Sequence, residues 1–182
     1  MSAYIVIVLA VLSRVLPHAF GAVGMGFTAV GGSLLFFGAR RSRWQIVPAV
    51  LALMATDIYL TKYVYGLQFE AKHYLLTWAW YAGVCLFANA VLNKKETALR
   101  VGGSVLVSAT SFFVLSNLAV WATSGMYTHS LGGLMACYGA ALPFYRNDLV
   151  STGLVVGVLF GLPALARKMS AAFEHSSNST PA

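Results

Sequence analysis

Long apolar runs, separated by short polar clusters, set the pattern of this chain. Six runs read as membrane-crossing helices: Ala3 to Leu16, closed by Pro17; Gly24 to Ala39; Trp44 to Tyr65; Tyr74 to Leu92; Val101 to Thr123; and Leu149 to Ala166. A further apolar stretch, Leu131 to Phe144, holds 14 residues. At 1.5 Å per residue it falls short of a hydrocarbon core about 30 Å thick. It reads as a re-entrant or interfacial helix ended by Pro143, with a seventh span as the competing reading. The expected fold is therefore an all-α membrane protein, a six-transmembrane-helix bundle with a short re-entrant helix before the last span.

Charge orients these runs. Arg40, Arg41 and Arg43 follow the second; Lys94, Lys95 and Arg100 follow the fourth; Arg167 and Lys168 follow the sixth. Basic residues mark the cytoplasmic side, so both termini are expected there. Residues 1–169 form one transmembrane domain in this reading, and 170–182 a disordered cytoplasmic tail rich in Ser, Asn and Pro. The N-terminal run lacks a basic leader and a small-residue cleavage site, so it is expected as a retained span and not a signal peptide. The opposite loops gather His18, Lys62, Glu70, Lys72, His73, His129, Arg146 and Asp148, interleaved with tyrosines.

Composition agrees with the pattern: 59% of residues are hydrophobic and 9% charged. A soluble domain carries roughly 25% charged residues. The net charge of +7 sits in the loop clusters, which points to membrane topology and away from nucleic acid. Cys85 and Cys137 lie inside apolar runs without metal-ligand spacing.

Asp57 carries the most information. An acid within a span costs about 2.5–3.5 kcal/mol on insertion scales and must face the bundle or a cavity. Two readings stand: a carboxylate that orients a ligand or accepts a proton, and a buried ion pair with Arg14 that fixes helix packing. Thr61 lies one turn further on the same face. Pro17 breaks the helix between Arg14 and His18, and such a break at membrane depth is tolerated where it lines protein or a wet cavity. Asn117 beside Trp121 reads as interhelical glue, and the glycines at 24, 26, 31, 32, 102 and 103 as points of close helix approach. The chain offers no nucleophile with its base, no paired acids and no HExxH, so an enzyme is not expected. The histidines, at span ends and in loops, do not suit a haem.

The segments Ser13–His18, Phe27–Gly32, Leu35–Gly38, Ala55–Asp57, Phe112–Trp121 and Ala136–Asn147 together resemble one family. From about residue 13 to 162, the chain is similar to the substrate-binding (S) components of energy-coupling-factor transporters, of the solitary cobalamin-uptake type, and to their relatives. The resemblance implies an S-component bundle in a bacterial inner membrane, with a ligand cavity open to the outside. It implies that His18, Asp57, Tyr74 and Arg146 surround the ligand; the residues themselves add Arg14 to the expected ligand set, in one water-accessible chamber with Asp57. Cobalamin or a related corrinoid is then the first candidate for the transported molecule, with no resident cofactor. The cobalamin proteins of this type place a cobalt-ligating cysteine soon after the counterpart of Asp57. Here no cysteine occurs between Asp57 and Cys85, and His73 is the nearest replacement, imidazole being a good cobalt ligand. Without a nucleotide-binding motif, ATP dependence would come from energy-coupling partner subunits. The other class of function expected is a non-transporting structural or assembly subunit of a larger membrane complex.

Overall fold

The computed structural model describes residues 2–19 and 28–178, with the side chains of 3–16 and 28–172. It is helical, with α1 at Ser2–Ala19, α2 at Val30–Arg40, α3 at Ile46–Tyr59, α4 at Leu75–Leu92, α5 at Ala98–Thr123, α6 at Leu131–Val156 and α7 at Leu162–Asn178. Among the described residues, four helical stretches are long and apolar enough to cross a membrane: Arg43–Val64, Leu75–Leu92, Ala98–Thr123 and Leu131–Ala172. The first of these includes a 3₁₀ turn before α3 and a π turn, Leu60–Val64, after it.

The bundle is built around α2. Every residue from Val30 to Ala39 is buried, as expected of a helix apolar on all faces. It packs against α1, α4, α5 and α6. Glycine allows the closest of these approaches, because a Cβ on Gly38 would run into the backbone of Cys85 on α4. Gly31 and Gly32 play the same part against Thr152 and Val155 of α6. Gly102 and Gly103, expected to act likewise, have open space where a Cβ would stand, and Gly24 and Gly26 lie outside the described residues. Apolar partners complete the core: Phe37 meets Tyr4 edge-on, and Phe36 meets Phe160 edge-on.

Basic residues collect at one end of the bundle. Arg40 pairs with Glu96 at 3.0 Å and lies over the rings of Phe36 and Phe160. Arg41 stacks over Tyr4, near the start of α1. Asn89 donates to the carbonyls of Gly38 and Arg41, tying α4 to the close of α2. The start of α1 and the π turn of the α6 rod, at Phe160, therefore both reach this basic end.

Three expectations are corrected here. The re-entrant helix and separate last span are one rod: α6 runs through Pro143, a π turn at Gly157–Gly161 follows, and α7 continues it. Leu131–Ala172 alone, 42 residues, extends about 63 Å at 1.5 Å per residue. Packing against α5 holds the helix on both sides of the proline. Cys137 donates to the Asn117 carbonyl and Tyr138 to the Val114 carbonyl before it; Tyr145 shares a hydrogen bond with Thr110 after it. The tail expected to lack structure from Ser170 is likewise helical to Asn178. Asn117 is also reassigned, since its side chain donates to Phe113 of its own helix.

The α2–α4 approach generates a test. Gly38→Ala is expected to lower the thermal unfolding midpoint in detergent, by overpacking worth about 1–3 kcal/mol. Gly83→Ala, with no atom near its added Cβ, should leave the midpoint unchanged.

Candidate functional site

The amino end of α2 lies inside the bundle, and the chain's buried charges meet around it. Val30 and Gly31 begin the helix beside Thr152 of α6. The preceding Ala29 amide donates to Ser13 Oγ of α1 at 3.1 Å. Among the described residues no side chain caps this terminus, so its first-turn amides present the positive end of the helix dipole.

Arg14, one residue beyond Ser13, reaches Asp57 of α3 at 2.6 Å. The Asp57 side chain is 1% exposed and the Arg14 side chain 21%. Trp78 Nε1 donates to the second carboxylate oxygen at 2.9 Å. Arg14 also donates to the hydroxyl of Tyr81 at 3.3 Å, one turn along α4 from Trp78. Both carboxylate oxygens and one face of the guanidinium are thereby satisfied, the condition for holding a charge pair out of water. The π turn starts three residues after Asp57. Within it, Thr61 donates to the Asp57 carbonyl at 2.7 Å and so receives the hydroxyl proton of Tyr74 at 2.6 Å. Tyr74, Phe69 and Trp78 stack in a three-ring group above the pair.

The polar layer continues across the bundle. Trp80 packs on Tyr81 and donates to Ser111 of α5, whose hydroxyl donates to the Ser108 carbonyl. On α6, Asp148 is half-buried one turn before Thr152, whose hydroxyl lies beside its carboxyl. The sequence placed Asp148 in a loop; it lies within α6 instead. No basic side chain pairs with it among the described residues. The α2 dipole can offset up to about 2 kcal/mol, against a cost of about 2.5–3.5 kcal/mol for an acid at membrane depth.

The expected site residues divide accordingly. Arg14 and Asp57 are joined, and Tyr74 is connected to them through Thr61. Arg146 is exposed on α6 and makes no ion pair with Asp57 among the described residues. Its neighbour Tyr145 takes the α5-facing position of that turn. His73 is exposed in a short turn, with Nε2 at 3.3 Å from Glu70. Lys72, at 2.7 Å, holds the Glu70 carboxyl below the ordinary range, and His73 adds to this. The side chain of His18 lies outside the described residues. Trp78, Tyr81 and Trp80 were missed in the sequence. Their signal was available: indole and phenol donors buried within a span need polar partners.

The sequence matches DUF6580, a family of unknown function, over residues 1–174. No curated protein matches it, and no solved structure does.

Breaking the buried pair has a defined cost. Arg14→Met is expected to destabilise the protein by about 3–5 kcal/mol, because it strands the Asp57 carboxylate. Adding Asp57→Leu should recover most of that loss. Equilibrium unfolding of the two variants in mild detergent checks both statements.

Proposed function

We propose that this chain, which belongs to the DUF6580 family, is a membrane protein that binds a vitamin-like small molecule for uptake and catalyses no reaction. One observation carries this reading: a buried helix begins within the bundle, and charged and aromatic side chains from three other helices, α1, α3 and α4, gather at its amino end. Broken helices with a free amino end inside a bundle are a recurrent way to bind polar groups at membrane depth. Phe69, Tyr74 and Trp78 supply the apolar walls that such sites combine with a few fixed polar groups. Arg14, the partly exposed member of the pair, is the group that meets the ligand, and Asp57 holds it in place.

Orientation follows from the basic end, which faces the cytoplasm under the positive-inside rule. The first three of the charges that mark it are Arg40, which ends α2, and Arg41 and Arg43 just after it. The ligand then enters from the opposite face of a bacterial inner membrane, and both termini are cytoplasmic. The likeness to S components makes a corrinoid the first candidate and coupling subunits with ATPases the partners. His73 would serve as cobalt ligand only by releasing Glu70 from its Nε2.

A second reading, a structural subunit of a larger complex, draws on an apolar groove of about 270 Å³ between α1 and α6. Val6, Leu9, Leu154 and Val158 line it, as they would a seat for a foreign membrane helix.

Gentle extraction followed by native mass spectrometry separates these readings. Uptake binding predicts a stoichiometric small organic molecule on the wild type, lost in Arg14→Ala. An empty chain recovered bound to other subunits would overturn it in favour of the second reading. Added cobinamide or cyanocobalamin should show a bound corrinoid spectrum that changes in His73→Ala; an unbound corrinoid at micromolar concentration removes that candidate alone.

A further inference from the structure

The apolar groove of about 270 Å³ between α1 and the α6 rod runs toward uncompensated charge. Its walls are Val6 and Leu9 of α1 and Leu154 and Val158 of the rod; its floor is Ala29, just before α2, and Ser33. The space is smaller than the roughly 300–1,000 Å³ of a pocket for a compact organic ligand. Leu9, Leu154 and Val158 are each more than half exposed, so the groove opens sideways, where a membrane protein meets lipid tails.

Ala29, Ser33, Phe36 and Arg40 follow one another at steps of three and four residues, so they share one face of α2. Arg40 closes that face and lies over the ring of Phe160 on the rod. Arg41 lies over Tyr4 on α1. The two arginines thus flank the basic end of the seam, one against each of its helices. Arg40 is matched by Glu96. Arg41 has no carboxylate partner among the described residues, and its Nε makes no hydrogen bond.

Depth selects the occupant. Ser33 and Ala29 stand about 10 and 16 Å from Arg40 along α2, at 1.5 Å per residue. Arginines at a helix end reach the headgroup level, and half of a hydrocarbon core about 30 Å thick is about 15 Å. The groove therefore ends near the bilayer midplane, the depth an acyl chain reaches from its own headgroup. A membrane-crossing helix would need a seat through both leaflets.

We propose that this seam binds one anionic phospholipid, its phosphate held by Arg41 beside Arg40 and one acyl chain laid in the groove. Basic sites between membrane helices attract anionic headgroups, and aliphatic walls gain dispersion contacts from a hydrocarbon chain. The packing of α1 is mainly on α2 and α3; the lipid completes its side toward the rod. The proposal goes beyond the uptake reading and does not rest on it. A phospholipid and a small transported molecule differ in mass, so either conclusion can fall alone.

The test is native mass spectrometry of the full chain, delipidated in neutral detergent and titrated with dioleoyl phosphatidylglycerol or dioleoyl phosphatidylcholine. The wild type is expected to take up one phosphatidylglycerol at a concentration about tenfold below that for phosphatidylcholine, the worth of one charge-assisted contact. Arg41→Gln should erase the preference, and Arg41→Lys should keep most of it. Val158→Trp, which fills the groove and leaves both arginines, should weaken phosphatidylglycerol uptake several-fold. Equal uptake of the two lipids by the wild type overturns the proposal. So does an undiminished preference in Arg41→Gln, or undiminished uptake in Val158→Trp. Should Arg41→Gln fail to fold, the wild type titrated in rising salt takes its place: the preference should shrink as screening grows, and a salt-independent preference overturns the proposal. A co-purifying protein that displaces the lipid in a one-to-one complex would overturn it too, and give the groove to the second reading.

Discussion

A carboxylate deep in an apolar bundle persists only when its charge is matched on the spot, and the pairing of Asp57 with Arg14 meets that demand. The rest of the polar architecture is arranged around it. Arg14 comes from α1, Asp57 from α3, and Trp78 and Tyr81 from α4, so one ion pair fixes the relative depth of three helices. Sliding any of them by a turn would strand a charge. The pair thus sets register in a medium where apolar surfaces alone, equally content against lipid, do so weakly.

The second organising element is α2. It is short, buried on every side, and held by close contacts with Gly31, Gly32 and Gly38. Its carboxyl end meets the basic cluster, where Asn89 collects the carbonyls of Gly38 and Arg41. Its amino end meets the polar layer. A dipole so placed favours cations at one end and anions at the other, and the chain supplies arginines and carboxylates in that order. The polar layer is therefore a consequence of where α2 begins.

Much of this was legible in the residues. The spans matching α3, α4 and α5 came from apolar runs whose polar flanks coincide with the real ends. Asp57 announced itself by being an acid in a span. The α6 rod was illegible for a physical reason. Tyr145, Arg146, Asn147 and Asp148 after Pro143 read as a loop, because a hydropathy reading cannot know that Tyr145 meets Thr110 of α5 or that Asp148 lies beside Thr152 on a continuous helix.

The central claim is that the amino end of α2 is a binding layer and not merely a packing device. An experimental density map of the chain in a lipid nanodisc, extracted without added ligand, tests it most directly. The account predicts non-protein density within hydrogen-bonding reach of Arg14, framed by Trp78 and Tyr81. A map in which protein side chains alone fill that space, with the guanidinium turned wholly onto Asp57, would contradict it.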